Sequence, residues 1–345
     1  MQRELPKLSR REFLSRSFDR LAVLSFIPEL ENTRNIVIIA SAGDVTLGYR
    51  FDEMFNHVRK QEGEAAAYCS PFRNINEIFR DSDISIVNLE GALTNSNKLR
   101  PKKFNFKGNP DFAKCLVEGN IDIVNIANNH IMDFYENGAL DTISALNEHE
   151  ILYCGGGKNT EDALTPRFIE KNNLNVGFLG YALVGADYPA RNNSAGTNSY
   201  DCKRSQKEIS EAKNNSDILV VSCHWGVERA PIPTTQQKVI AREFIDSGAD
   251  IVFAHHPHVI QGIEKYQQGI IFYSLGNFAF GGNTFPSDRD SFIAQVIYNK
   301  SGIESFLCIP VITHPKPLVF QPYIPSEEEK KRIENKIEYR SRLLG

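Results

Sequence analysis

Residues 36–44 read Ile36-Val37-Ile38-Ile39-Ala40-Ser41-Ala42-Gly43-Asp44, an apolar run that closes on a glycine and an acid. A short run of this kind, without strict polar alternation, suits a strand covered on both faces, as in a parallel sheet. The pattern recurs along the chain. Ile84-Ser85-Ile86-Val87 leads into Asn88-Leu89-Glu90, and Ile121-Asp122-Ile123-Val124-Asn125-Ile126 leads into Asn128-Asn129-His130. Asp217-Ile218-Leu219-Val220-Val221 leads into His224-Trp225-Gly226, and Asp250-Ile251-Val252-Phe253 into His255-His256-Pro257-His258. Helices are expected between them, over about 72–81, 110–118, 134–149, 203–214 and 235–247. This alternation predicts an α/β fold with several parallel strands.

Two regions depart from the rhythm. Phe168 to Tyr181 carries two runs around Asn172-Asn173 and reads as a hairpin, and 259–312 is strand-rich with turns at Gln268-Gly269 and Ser301-Gly302. Mixed sheets are therefore expected. The Gly-, Asn- and Ser-rich stretch 185–201 reads as a mobile lid. Gly155-Gly156-Gly157 reads as a structural turn, because no P-loop Lys or Ser follows it. Ser326 and Glu329 form a capping box for a terminal helix over 326–345, with Ile333, Ile337 and Leu344 as its apolar edge.

The 345 residues hold 39 Lys+Arg against 43 Asp+Glu, a net charge of −4, and 41% are hydrophobic. That balance supports a large core and argues against a nucleic-acid partner held by bulk charge. Cysteines at 69, 115, 154, 202, 223 and 308 form no CxxC pair and read as reduced thiols, most of them buried. In the leader, 1–35, Ser9-Arg10-Arg11-Glu12-Phe13-Leu14 carries the arginine pair of a twin-arginine export signature. Asp19 and Arg20 interrupt the apolar stretch that such a signal needs, and it stops at Pro28-Glu29. The favoured reading is an amphipathic helix with Leu14, Phe18 and Leu21 on one face, hence a cytoplasmic protein; export through Arg10 and Arg11 is the alternative. No segment has the ~20 apolar residues of a membrane span.

Five apolar runs thus end in residues able to bind a metal: Asp44, Glu90, Asn129 or His130, His224, and His256 with His258. One aspartate after a strand is usually a helix cap or a turn former, and one histidine is usually a hydrogen-bonded core residue. Together the five point elsewhere. Ligand sites in open α/β sheets gather beyond the carboxyl ends of the strands, and burying five such groups without a cation is costly. Carboxylate, amide and imidazole donors suit Mn, Fe or Zn. His57, His149 and His314 lack such a setting and read as surface or core residues.

The segments Gly43-Asp44-Val45-Thr46-Leu47-Gly48, Asn88-Leu89-Glu90-Gly91, Ala127-Asn128-Asn129-His130 with Asp133, His224-Trp225-Gly226 with Glu228, His255-His256-Pro257-His258-Val259 and Tyr273-Ser274-Leu275-Gly276-Asn277-Phe278 occur in that order. In this they resemble the CapA family, implicated in poly-γ-glutamate capsule synthesis, over about residues 36–312. That family is similar in turn to calcineurin-like metallophosphoesterases. The resemblance implies a four-layer sandwich of two mixed β-sheets flanked by helices, with one domain over 36–325.

It also implies roles. Asp44, Glu90, Asn129, His224, His256 and His258 would be ligands to one or two divalent ions, with Glu90 bridging. His130 would be catalytic and Asp133 would orient it. Thr46 stands where the phosphoesterases have a histidine, so one metal position lacks a nitrogen ligand. On this reading a cation at Asn129, His224 and His256 would activate water, and a second near Asp44, Glu90 and His258 would polarise the phosphoryl or amide bond under attack. His130 would protonate the leaving group. Ser274 and Asn277 would bind substrate or support the ligands. Arg289 would offer a fork to a carboxylate or phosphate, or would pair with Asp288 or Asp290; both readings stay open. The expected substrate is an anionic polymer or a phosphorylated compound, with capsule-synthesis proteins as partners. The alternatives are a non-catalytic metal-stabilised scaffold and a phosphoesterase unrelated to capsule.

Overall fold

The apolar runs become neighbouring strands of two sheets in the computed structural model, which describes residues 35–282, 286, 288–314 and 320–345. The expected leader helix, with Arg10 and Arg11, lies outside the described residues.

In chain order the strands begin β1 (Ile36–Thr46), β2 (Ile84–Leu89), β3 (Ala92–Leu93), β4 (Lys107–Gly108), β5 (Ile123–Asn125) and β6 (Leu152–Cys154). There follow β7 (Gly156–Gly157), β8 (Arg167–Lys171), β9 (Leu174–Ala182), β10 (Gly196–Thr197), β11 (Ile218–His224) and β12 (Ile251–His255). The last are β13 (Ile263–Tyr266), β14 (Gly269–Phe272), β15 (Asn277–Phe280), β16 (Asp290–Asn299) and β17 (Gly302–Ile312). The α-helices are α1 (Phe51–Glu62), α2 (Glu64–Cys69), α3 (Asn76–Arg80), α4 (Ala113–Glu118), α5 (Tyr135–Glu148), α6 (Thr160–Leu164), α7 (Cys202–Asn214), α8 (Thr235–Asp246) and α9 (Glu327–Arg342).

One sheet runs β17-β16-β1-β2-β5-β6, with β15 pairing the far end of β1; the other runs β13-β14-β12-β11-β9-β8. β1, β2, β5 and β6 are mutually parallel, as are β9, β11, β12 and β14; β16 runs antiparallel between β1 and the edge strand β17, and β8 and β13 are antiparallel edges of the second sheet. Both sheets are mixed, as the hairpin and the strand-rich stretch required.

Strand alternation then builds the layers. Val37, Ile39, Ile84 and Ile86 face Val176, Phe178, Val220 and Phe253 in a core between the sheets. On the outer face of the first sheet, Ala40, Val45, Val87 and Leu89 pack with Phe55, Leu116 and Leu146 from helices. Leu179, Val221 and Val252 do the same against Ile209, Ile240 and Phe244. The result is helix, sheet, sheet, helix. The α9 edge closes the sandwich, with Ile333 and Ile337 in the inter-sheet core.

Some boundaries differ from expectation. The helix expected over 72–81 contracts to α3, and that over 110–118 opens as a 3-10 turn at Pro110–Phe112. α1 and α2 were not anticipated, although Phe51, Met54, Phe55 and Val58 are spaced for one buried helical face. The stretch 185–201 is held down at several points: β10 pairs β7, and bridges join Ala182 to Ser199 and Pro189 to Thr197. Of the cysteines, 115, 154 and 223 are buried, 202 is exposed and the other two are intermediate; all are free thiols.

Asp290, at the start of β16, receives Arg332 Nη2 at 2.7 Å, with Arg332 Nη1 and Lys336 Nζ also donating to it. Burial raises its carboxyl, but these hydrogen bonds outweigh burial and hold it below its ordinary value. A depressed carboxyl stabilises the fold above the unfolded-state value, about pH 4, and that contribution is lost as pH falls through the native value. Asp290→Asn is expected to cost about 1–2 kcal/mol in urea melts at pH 7. The deficit should close in acid; one that persists unchanged there would contradict the ion-pair origin.

Candidate metal centre

Asp44 sits in the last part of β1, Glu90 follows β2, Asn129 and His130 follow β5, His224 ends β11, and His256 and His258 follow β12. All lie at the carboxyl ends of parallel strands, three from one sheet and two from the other. Gly43 permits a close approach at this end: a Cβ there would lie 2.0 Å from Gly276 O. With that gap closed, Asp44 N donates to Gly276 O at 3.0 Å and Asn277 becomes the register partner of Asp44.

The donors meet. His224 Nε2 lies 2.8 Å from Asn129 Oδ1 and 3.1 Å from His256 Nδ1. His258 Nδ1 lies 3.1 Å from Asp44 Oδ2 and 3.0 Å from Asn277 Oδ1. Glu90 Oε1 lies 3.8 Å from ring nitrogens of His130, His224 and His258. Ligand atoms of Glu90, His256 and His258 fall within 4.8 Å of one another, as do those of Asp44, Glu90 and His224. Glu90 belongs to both groups.

Glu90 is 0% exposed, yet neither carboxylate oxygen has a hydrogen-bond donor. An orphaned buried carboxylate costs far more than a satisfied one, so the oxygen and imidazole donors present fit a divalent cation. Backbone strain gives a second indication. His256 has φ 94°, beyond the ordinary left-handed region, and His258 has φ 57°, within it.

Protonation follows from the burial. Burial raises the Asp44 carboxyl, but His255 and His258 outweigh it and hold Asp44 well below the usual range. Burial, with Asp44 and Glu228 adding repulsion, pushes Glu90 well above it. Burial drives His224 well down and His256 down to about 3, with nearby imidazoles adding to the effect. Burial opposes the charged form of His258 too, yet Glu90 and Asp44 carry it up to about 9.

His130 and Asp133 stand beside this cluster. His130 Nδ1 and Asp133 Oδ2 are 2.6 Å apart. Burial lowers the His130 value, against the pull of Asp133. The other sequence-chosen residues divide. Asn277 joins the cluster through His258. Ser274 Oγ accepts from Gly276 N at 3.3 Å and shapes the turn before β15. Arg289 is exposed, and Asp288 and Asp290, its expected partners, pair instead with Lys336 and Arg332 of α9. Thr46 Oγ1 donates to Glu90 O at 2.8 Å, which ties its hydroxyl to the backbone.

Four further neighbours received no role from the sequence, although His255 lies in one of the ligand-bearing segments. Asn88 Nδ2 donates to Asp44 Oδ1 at 2.9 Å; its place two residues before Glu90 on one strand face was the available signal. His255 Nδ1 lies 3.4 Å from Asp44 Oδ1. Lys102 Nζ donates to Asp133 Oδ1 at 2.6 Å and to Asn129 O at 2.7 Å. The Phe106 ring stacks on His130 at 4.1 Å, and its N donates to Asp133 Oδ2 at 2.8 Å. Lys102 and Phe106 come from irregular chain before β4, where no periodicity marks them.

A four-layer α/β sandwich with buried carboxylate, amide and imidazole donors converging at its strand ends defines a candidate metal-binding protein. The family model described as "Bacterial capsule synthesis protein PGA_cap" matches residues 38–282, and the chain belongs to that family. It is 34% identical over 292 residues to the PGA biosynthesis protein CapA of Bacillus subtilis, covering 83% of this chain and 74% of that protein. It is 31% identical over 290 residues to the capsule biosynthesis protein CapA of Bacillus anthracis, covering 80% and 68%. Among solved structures, the NAD nucleotidase of Haemophilus influenzae is a distant likeness, with TM-score 0.47, 12% identity, and coverage of 88% of this chain and 62% of that one. It says nothing about substrate. Among the described residues, no helix is long and apolar enough to cross a membrane.

Proposed function

We propose that this chain is a metal-dependent hydrolase-like protein of capsule synthesis that acts on an anionic polymer such as poly-γ-glutamate. The observation that carries the reading is the fully buried Glu90 carboxylate, without a donor of its own and ringed by imidazoles beside the His130–Asp133 pair. The name of the Bacillus subtilis relative, a PGA biosynthesis protein, supports the polymer, and that of the Bacillus anthracis relative supports the capsule.

Asp44, Glu90, Asn129, His224, His256 and His258 would hold one or two divalent ions. Bound there, such an ion supplies Lewis acidity to a phosphoryl or amide oxygen and acidifies water. The chain's own groups do the rest. His130, protonated on both nitrogens when it acts, would give its Nε2 proton to the leaving group and keep its Nδ1 proton on Asp133, whose carboxylate favours the charged ring against burial. Lys102 offsets the Asp133 charge, and Phe106 closes one ring face to water. Asn277 orients His258.

Thr46 favours a second reading, a metal-stabilised scaffold for other capsule proteins, because its side chain adds no nitrogen donor and is already engaged. Incubation with γ-linked glutamate oligomers and with a generic phosphodiester separates the two. Cleavage that needs Mn²⁺ and stops with chelator supports the enzyme. Stoichiometric metal without cleavage of either compound supports the scaffold, and cleavage of the phosphodiester alone points to a phosphoesterase outside capsule chemistry.

A further inference from the structure

A cavity of about 570 Å³ lies next to the metal centre and shares none of its candidate ligands. Met132 and Phe134, the residues on either side of Asp133, form part of its wall, as does Arg100. Arg100 N donates to Asp133 O at 2.8 Å and its Nε to Met132 O at 2.8 Å. The opposite wall comes from the segment after Gly185, which packs directly on Asn129: a Cβ at Gly185 would lie 2.7 Å from Asn129 Cα. The cavity thus shares its walls with the backbone that carries Asn129 and Asp133.

The Arg100 guanidinium is clasped between two rings, 4.4 Å from the Tyr135 centroid and 4.2 Å from that of Tyr188. Tyr135 holds its side of the clasp at φ 57°, a conformation bulky residues rarely adopt. Both faces of the guanidinium are covered and Nε is engaged, so the terminal N–H groups are what remain for a ligand. No carboxylate among the described residues makes an ion pair with Arg100. A guanidinium held flat in this way has given up its rotamer freedom before any ligand arrives, and its planar fork matches a carboxylate.

Lys98 and Arg191 add positive charge to the wall, and Glu136 and Asp187 partly balance it. Three cations against two acids suit a polymer with one charge per repeat better than a dense phosphate cluster.

We propose that this cavity is a polymer subsite in which Arg100 grips a side-group carboxylate and so sets the adjacent backbone bond at His130. The proposal rests on the anionic-polymer reading above. It is tested by fluorescence anisotropy with a labelled γ-linked glutamate oligomer on Mn²⁺-equilibrated protein, with a neutral γ-linked glutamine oligomer and inorganic triphosphate as competitors.

The parent should bind the charged oligomer and ignore the neutral one. Arg100→Ala and Arg100→Lys should each weaken binding at least about 10-fold, and Tyr188→Leu about 3-fold. Metal content should match the parent in all three, which shows that the variants are folded. Binding indifferent to Arg100, equal binding of the neutral oligomer, no binding by the parent, or displacement by triphosphate at lower concentration than by free charged oligomer would each overturn the subsite. Metal-dependent cleavage with Arg100-indifferent binding sinks the subsite alone. Arg100-dependent binding with no cleavage sinks the enzyme reading and leaves the subsite standing.

Discussion

Glu90→Gln is expected to reverse the response of the protein to metal. In the metal-free state the parent buries a carboxylate that no donor satisfies. Removing that unsatisfied carboxyl group should leave the apo variant as stable as the parent or more so, by about 1–3 kcal/mol. With metal the order inverts. Loss of the ligand shared by both donor groups should weaken binding at least about 100-fold, which by mass action removes about 2.7 kcal/mol of ligand-derived stability. Thermal melts with chelator and with saturating Mn²⁺ should therefore cross. A variant destabilised equally in both conditions would mean that Glu90 is a packing residue.

His130→Ala carries the largest expected effect on chemistry. Its ring contacts Glu90 only at 3.8 Å, and its other nitrogen is committed to Asp133. Removing a general acid in this position should lower turnover of the cleaved substrate by about 10²–10⁴-fold. Metal content should fall little, because the six proposed ligands remain. Substrates whose leaving group needs no proton should be hurt least, which distinguishes loss of proton transfer from collapse of the site. Equal losses for all leaving groups, together with loss of metal, would assign His130 to the ligands.

The strands were readable because burial on both faces leaves unbroken apolar runs, and the site was readable because each run stops at a polar ligand type. Asp44, His224 and His256 therefore come together where the sequence placed them. Sequence is silent where tertiary contact decides. For Arg289 it left open a substrate fork or a pairing with Asp288 or Asp290; α9, distant in sequence, takes both of those acids. Lys102, Phe106 and Arg100 lie on a segment without periodicity, and only the fold brings them to Asp133. The segment after Gly185 is glycine- and asparagine-rich like a free loop, yet β10 and its bridges bind it to the body.

Cation binding by the converged strand ends underlies every role assigned above, and metal content tests it most directly. Purified protein dialysed against Mn²⁺ or Zn²⁺, freed of loose ions and measured by elemental analysis, should retain one or two ions per chain, in keeping with the two overlapping donor groups. His256→Ala should retain fewer. A parent that retains no stoichiometric metal, or a His256→Ala variant that matches it, would contradict a metal centre at these strand ends.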